Sequence, residues 1–305
     1  RWSVHRVASS DVSTRAGRTI SGASSREASG RRSLLDMCAN PPCRSGWFHL
    51  WRNRSAPVFE GGWTCCRDCT EDRVASAVRR EMDGRNWDTR AHIHRIPLGL
   101  VMLEQGWISH AQLREALAAQ RAAGHGLLGW WLVQQRATSD QIVARALALQ
   151  WSCPMLIAES AEASFLTSAL PRLFVDAFAA LPLRVAAGQI LYLGFESRPD
   201  PVLALGIEQI TGLRVESGIV SASGFAQAQQ RILQTAFPRV ELIEASHIGA
   251  AARAMARALE RVQPVESRLA RIHDCLWLRM WTCRRSGPLT PLDEIDDLIC
   301  SIGAS

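Results

Sequence analysis

Two neighbouring stretches of this sequence repeat one phrase: PLGLVMLEQGWISHAQLREALAAQ at residues 97–120 and LLGWWLVQQRATSDQIVARALALQ at residues 127–150. The Leu-Gly pair that begins at Leu98 recurs at Leu128, and serine, alanine, leucine and glutamine recur downstream at the same offset of 30 residues. A fixed offset of this kind indicates one supersecondary unit that is used twice. We therefore expect the fold to be organised around residues 95–150.

Each copy of the phrase predicts a short helix, a turn and a longer helix. In the first copy Ser109 stands at a helix N-cap position, and Gln112 three residues later completes a capping box. Apolar residues then recur at helical spacing through Leu117. In the second copy Ser139 keeps the cap, whereas Arg136 stands where the first copy has a turn glycine. We expect the two helical hairpins to bury each other's apolar faces.

The segment that follows, residues 151–240, mixes strand-like and helix-like periods. It predicts a hairpin between residues 183 and 195, a helix at 201–210 that starts with proline, a strand at 213–215 and a helix at 223–233. A small α+β layer accounts for this order of elements. The predicted fold class is therefore α+β, with a duplicated helical hairpin repeat followed by a small α+β layer.

The duplicated phrase reads L-G-x-x-(apolar)-(apolar)-x-x-G-x-I-S-x-x-x-L-x-x-A-L-x-x-Q. An aromatic-Pro stretch at residues 151–154 follows the second copy. This pattern resembles the N-terminal, MshE-type domain of type II secretion and type IV pilus assembly ATPases, over residues 95–235. The resemblance implies a bacterial, cytoplasmic regulatory protein whose protein partner belongs to secretion, pilus or envelope machinery. Some members of that family bind cyclic di-GMP through both copies of the phrase.

The resemblance also implies a candidate ligand-binding set. Ligand-binding members carry an arginine directly before each Leu-Gly pair, but these positions hold Pro97 and Leu127 here. Without those arginines the charge-assisted contacts to phosphate would be missing. Arg95 and Arg121 lie close in sequence but out of register. The full candidate set is Arg95, Leu98, Gly99, Leu113, Leu117, Gln120, Arg121, Leu128, Gly129, Val143, Leu147 and Gln150.

Five of the nine cysteines lie in residues 35–90 and indicate a zinc site. The first two bracket a turn-forming Ala-Asn-Pro-Pro, and the other three precede a predicted helix. Thiolate pairs on a knuckle and a helix N-terminus are typical of structural zinc, so we expect an N-terminal zinc knuckle of the treble-clef type, whose four thiolates leave no position for water. Buried free thiols or disulfides are the alternatives. The candidate ligands are Cys38, Cys43, Cys65, Cys66 and Cys69, with the choice between Cys65 and Cys66 open.

Several features argue against an enzyme. The sequence contains no lysine, so these residues hold neither a P-loop motor nor a Schiff-base lysine. The G-x-G-x-x-G at residues 124–129 follows a predicted helix rather than a strand, which does not fit a dinucleotide-binding turn. In the run His273-Asp274-Cys275, neighbouring residues of one element point in different directions, so the run does not predict a Cys-His dyad.

Charge and hydropathy restrict the partners. The net charge is +6, but residues 1–34 hold seven arginines and two acidic residues, so nearly all the excess lies in this predicted disordered tail. The near-neutral remainder argues against a broad nucleic-acid-binding face. No apolar run approaches the roughly 20 residues of a membrane-spanning helix.

The predicted domains are a tail at 1–34, a Cys-rich zinc-knuckle module at 35–90, the repeat at 95–150, the α+β subdomain at 151–240 and a C-terminal helical region and tail at 241–305. In the last of these we expect a helix at 248–262, a second helix or a strand at 268–281, and an acidic docking helix at 292–302. The predicted function is a non-enzymatic regulatory or adaptor protein that acts through protein contacts. The alternatives are a cyclic di-GMP sensor and a zinc-dependent nucleic-acid binder.

Overall fold

Helices and strands are mixed along the computed structural model, which describes residues 37–44, 57–83, 95–158, 166–285, 287 and 289–303. The predicted tail of residues 1–34 and the predicted linker of residues 84–94 lie outside the described residues. In chain order the elements are β1 (Val58–Phe59), β2 (Gly62–Trp63), α1 (Arg67–Asp83), α2 (Leu98–Glu104), α3 (His110–Ala123), α4 (Leu128–Gln134), α5 (Asp140–Trp151), α6 (Arg172–Phe178), β3 (Ala180–Ala186), β4 (Ile190–Phe195), α7 (Pro201–Thr211), β5 (Arg214–Ile219), α8 (Ala222–Leu233), β6 (Arg239–Ala245), α9 (Ile248–Val262), β7 (Glu266–Ile272), β8 (Cys275–Trp281) and β9 (Ile295–Ile302). The α+β class is confirmed. Among these described helices, none is both long enough and apolar enough to cross a membrane.

Helices α2 to α5 occupy the duplicated stretch, and each copy supplies a seven-residue helix followed by a longer one. The Gln112 backbone N–H donates to the Ser109 hydroxyl at 3.3 Å, and the Ser109 N–H donates to the Gln112 side chain at 2.8 Å. In the second copy the Ile142 N–H donates to the Ser139 hydroxyl at 3.3 Å. Both long helices therefore begin with the serine cap that the sequence predicts.

A three-stranded sheet with order β3-β4-β5 follows the repeat. Strand β3 is antiparallel to β4, and β4 is parallel to β5. Helix α7 starts at Pro201, and the Asp200 carboxylate accepts hydrogen bonds from the Val202 and Leu203 N–H groups at 2.9 and 3.0 Å. The predicted hairpin, the proline-led helix and the helix near residues 223–233 are confirmed. The sequence did not predict helix α6.

The repeat is attached to this layer through its last helix. The Asp140 carboxylate at the start of α5 accepts hydrogen bonds from the Ser223 hydroxyl and, at 3.1 Å, from the Ser223 N–H. These bonds lower the pKa of the Asp140 carboxyl, with the Ser223 hydroxyl as the main cause. Leu147 and Trp151 at the other end of α5 pack against the core of the α+β layer. Helix α5 therefore belongs to both parts of the fold.

The C-terminal part is a four-stranded sheet rather than a helical region. Its strand order is β6-β9-β8-β7, with β6 parallel to β9 and the other neighbours antiparallel. The helix predicted at 248–262 is confirmed as α9. Residues 268–281 form most of the β7–β8 hairpin, so of the two predicted forms the strand is correct. The docking helix predicted at 292–302 is wrong, because most of these residues form strand β9 between β6 and β8.

Both faces of this sheet are buried, which explains the wrong prediction. Leu298 on one face shares a core with Val78 of α1 and with α9, while Trp277 and Ile299 on the other face join the core of the α+β layer. Helix α1, which follows the Cys-rich segment, thus packs on the C-terminal sheet rather than in a separate module. Residues Met37–Ser305 accordingly form one compact unit.

The turn between the short and the long helix of the repeat provides a test of backbone strain. Gly106 has a φ of 68° in the first copy, whereas Arg136 adopts 56° in the second. The left-handed region costs an ordinary residue roughly 1–2 kcal/mol. We therefore expect Arg136→Gly to be more stable than Arg136→Ala by about 1 kcal/mol in the free energy of unfolding, measured by urea denaturation. The alanine variant removes the same side chain but keeps the strain, so equal stability of the two variants would contradict the prediction.

Candidate functional site

Four cysteine thiols meet at the start of α1. Cys38 and Cys43 lie on a turn that is closed by a hydrogen bond from the Cys43 N–H to the Asn40 carbonyl at 3.0 Å. Cys65 follows strand β2, and Cys69 lies in the first turn of α1. The Sγ atoms of the four cysteines all lie within 4.8 Å of one another. The structure therefore gathers four of the five candidate metal ligands.

The spacing of these thiols fits a tetrahedral metal ion. The Cys65 Sγ lies 3.6 Å from the Cys43 Sγ and 3.6 Å from the Cys69 Sγ. Zinc-sulfur bonds of about 2.3 Å in tetrahedral geometry place sulfur atoms about 3.8 Å apart. The Cys65 N–H donates to the Cys38 Sγ over an N–S distance of 3.4 Å, and such a bond stabilises a thiolate.

The structure places Cys65 rather than Cys66 in the cluster. The Cys66 side chain lies beside Cys65 and Cys69 but is not among the four thiols that are all within 4.8 Å of one another, and its carbonyl accepts hydrogen bonds from the N–H and the hydroxyl of Thr70 at 3.0 and 3.1 Å. Burial raises the pKa of the Cys69 thiol to about 12 and also raises the pKa of the Cys65 thiol. Without a cation these thiols stay protonated at neutral pH, and metal binding releases their protons.

Arg73 of α1 fixes the frame around the cysteines. Its guanidinium donates to the Ala39 carbonyl at 2.6 Å and to the Phe59 carbonyl at 3.3 Å, which connects the cysteine turn to the β1–β2 hairpin. The hairpin is in turn attached near the edge strand β7, since the Val58 N–H donates to the Pro264 carbonyl at 2.9 Å. Four thiols on this frame offer a closed ligand set, which suits a structural metal rather than a catalytic one.

The two Leu-Gly pairs of the repeat pack against each other across the two units. A Cβ atom on Gly99 would lie 2.8 Å from the Leu113 side chain and 3.2 Å from the Leu128 side chain. A Cβ atom on Gly129 would lie 2.6 Å from the Val143 side chain and 3.6 Å from the leucine of the first pair. These neighbours are equivalent at the offset of 30 residues. Six of the candidate ligand-binding residues therefore make internal packing contacts.

The two glutamines that end the phrase are also bonded within the repeat. The Gln120 side-chain amide donates to the Gly126 carbonyl at 2.7 Å, and the Gln150 amide donates to the Ile96 carbonyl at 2.7 Å. Gly126 and Ile96 are again 30 residues apart. Each long helix therefore anchors the segment that leads into the other unit's short helix.

The remaining candidate residues divide between the core and the surface. Leu117 and Leu147 are half-buried, and Leu147 contacts the core of the α+β layer. Arg95 stacks on Trp151, with its guanidinium carbon 3.1 Å from the ring centroid. Arg121 is exposed.

A set of exposed apolar side chains, which the sequence did not reveal, belongs to the same repeat. Leu100 and Trp130 occupy equivalent positions of α2 and α4 and are 52% and 49% exposed. Leu127 is the extended N-cap residue of α4, and Ile96 precedes Pro97, the N-cap residue of α2; the side chains of Leu127 and Ile96 are also exposed. We call the exposed side chains Ile96, Leu100, Leu127, Trp130 and Leu149 the apolar surface.

The run His273-Asp274-Cys275 lies at the turn of the β7–β8 hairpin. The His273 Nε2 lies 2.7 Å from an oxygen of Asp200, and the His273 ring stacks on Phe178. Burial raises the pKa of the Cys275 thiol, and the nearby charge of Asp274 adds to this effect. A buried, protonated thiol is not an activated nucleophile. The geometry of this run thus gives no support to a catalytic dyad.

Comparison with solved structures finds similar domains, although no protein-family model and no curated protein sequence matches the chain. A structure of MshE with cdg is 25% identical, with a TM-score of 0.37, and the match covers 45% of this chain and 99% of that chain. Two structures of the N-terminal domain of XpsE are 19% and 21% identical, with TM-scores of 0.31 and 0.25. They cover 44% and 48% of this chain and 92% and 97% of their own chains. The chain is thus similar to these three solved structures over somewhat less than half of its length, with TM-scores below 0.4.

Proposed function

We propose that this protein is a non-enzymatic regulatory or adaptor protein that acts through protein contacts of its helical repeat. The observation that carries the proposal is the pair Leu100 and Trp130, which occupy equivalent positions and are about half exposed. The two units already hold together through the Leu-Gly pairs and the two glutamines. Exposed apolar side chains at repeated positions are typical of a surface that contacts another molecule.

The charges around the apolar surface favour an acidic partner. Residues 95–158 hold five arginines and three acidic residues, and one of these acids, Asp140, is bonded to Ser223. An amphipathic helix with an apolar stripe and acidic flanks would complement both the apolar side chains and the arginines. On the resemblance to secretion ATPases, we infer that this partner belongs to secretion, pilus or envelope machinery and that the contact forms in the cytoplasm.

A cyclic di-GMP sensor is the second candidate function, and the duplicated phrase is the observation that favours it. Pro97 and Leu127 supply no guanidinium where the ligand-binding members of the family carry arginine. Gln120 and Gln150 already donate to backbone carbonyls of the repeat. These contacts favour the adaptor proposal. The third alternative, a zinc-dependent nucleic-acid binder, would depend on the arginine-rich tail, which lies outside the described residues.

A photo-crosslinking amino acid at position 130 tests the adaptor proposal. In the native host we expect one cross-linked partner, and we expect Leu100→Arg in the same chain to abolish the product, because a charge placed in an apolar contact is costly to desolvate. By calorimetry, the purified partner should bind the full chain with a Kd of about 1 μM or tighter, and Leu100→Arg should weaken this binding about 100-fold.

Leu242 provides a matched control, since this β6 residue is 64% exposed and lies outside the repeat. Leu242→Arg should leave both the cross-linked product and the Kd unchanged. Equal losses from Leu100→Arg and Leu242→Arg would contradict docking on the repeat. A purified partner without measurable affinity for the full chain would contradict it as well.

We also propose that Cys38, Cys43, Cys65 and Cys69 hold one zinc ion in a treble-clef-like arrangement. The turn supplies the first pair of thiolates, and the end of the β1–β2 hairpin together with the start of α1 supplies the second pair. The ion would cross-link the turn to α1, which packs on the C-terminal sheet. Four thiolates leave no position for a reactive water, so this role is structural.

Elemental analysis tests the zinc proposal. We expect about one zinc ion per purified chain, and we expect Cys65→Ser to lose the metal and to lower the Tm, because the binding free energy of structural zinc is folding free energy. Cys66→Ser is the matched control, since it removes an adjacent thiol that is not one of the four closely spaced ones, and it should keep the metal. Less than about half an equivalent of zinc in the natural chain, or equal zinc loss in both variants, would contradict the proposal.

A further inference from the structure

Two arginine side chains meet at one indole ring. The guanidinium carbon of Arg95, directly before α2, lies 3.1 Å from the centroid of the Trp151 ring. The guanidinium carbon of Arg198, in the turn between β4 and α7, lies 5.4 Å from the same centroid. The repeat and the α+β layer therefore each contribute one cation to a single place on the surface.

Neither guanidinium has a carboxylate partner in the part of the chain that the structure describes. Asp200, two residues after Arg198, accepts hydrogen bonds at the start of α7 and lies 2.7 Å from His273. Partial burial, and then the charge of Arg198, lower the pKa of Arg95. Both guanidiniums are positively charged and lie near one indole ring, so an anion bound beside them would offset their mutual repulsion.

The site is held in place by the end of α5. The Gln150 amide donates to the Ile96 carbonyl, next to Arg95, and Trp151 is the last residue of the same helix. A guanidinium that stacks on an aromatic ring keeps its in-plane N–H donors free for a second partner. The side chain of Arg95 is therefore already oriented for a ligand.

We propose that Arg95 and Arg198 form a phosphate-binding site beside Trp151, which takes free phosphate or the phosphate group of a small phosphomonoester. Phosphate oxygens accept paired hydrogen bonds from guanidinium groups, and two such groups complement a dianion. The site uses Arg95, two residues before position 97, and Arg198 of the α+β layer, rather than residues at positions 97 and 127, where the family's arginines would stand. It is independent of the adaptor proposal, because a chain without a docking partner would still bind phosphate.

Calorimetric titration of the full chain at constant ionic strength tests this site. Inorganic phosphate, AMP and adenosine serve as probes, and we expect phosphate or AMP to bind with a Kd of about 1 mM or tighter. Tighter binding of phosphate identifies the free ion as the ligand, and tighter binding of AMP identifies a phosphomonoester. Adenosine binding equal to that of AMP would overturn the proposal, and so would the absence of binding by both phosphate and AMP.

Arginine variants distinguish phosphate binding at this site from non-specific attraction of phosphate to arginine charge. Arg95→Gln and Arg198→Gln should each weaken the binding about tenfold or more, because each removes one pair of charge-assisted hydrogen bonds. Arg145→Gln is the matched control, since Arg145 lies 5.5 Å from the Trp107 centroid and no second arginine among the described residues lies over that ring. It should bind as the natural chain does. An equal loss in Arg145→Gln, or unchanged binding in the other two variants, would overturn the assignment.

Discussion

The rest of the repeat depends on the close packing of its two units at Gly99 and Gly129. A Cβ atom at either position would approach a neighbouring side chain to 2.8 Å or less, so a larger residue there would force that side chain to move. The glutamines at the helix ends bond to backbone carbonyls of the same repeat. Leu100 and Trp130 lie outside these contacts and face solvent. The packing that holds the repeat together therefore also leaves its apolar surface exposed.

A buried ion pair connects the other layers. Arg279 of β8 and Asp297 of β9 are 1% and 0% exposed, and the guanidinium donates to both carboxylate oxygens, at 2.8 and 2.7 Å. The Trp277 indole donates to the same carboxylate, and Arg279 also donates to the carbonyls of Ser168 and Ala169. The buried Arg279 and Asp297 side chains are thus both paired and hydrogen-bonded, as buried charges must be to offset the loss of hydration. The C-terminal sheet is thereby linked to the segment that leads into α6.

The repeat was predictable because its signals are local: the serine caps, the glutamine endings and the offset of 30 residues all stand in the sequence. The C-terminal sheet was not predictable in the same way, because an apolar run that is buried on both faces shows no hydrophobic periodicity by which a strand can be distinguished from a helix. Asp297 belongs to the segment predicted as an acidic docking helix, yet it lies buried against Arg279. The choice of Cys65 over Cys66, and the meeting of two arginines at Trp151, depend on tertiary contacts that residue spacing does not contain.

Calorimetric titration of the full chain with cyclic di-GMP, beside the double variant Pro97→Arg, Leu127→Arg, tests most directly whether the repeat is a docking surface or a nucleotide receptor. If its repeated leucines, glycines and glutamines serve internal packing, the natural chain shows no binding at ligand concentrations up to about 100 μM, and only the double variant, with guanidinium groups in register, binds. Binding by the natural chain with a Kd of about 1 μM or tighter would contradict the adaptor function and would establish a second-messenger sensor instead.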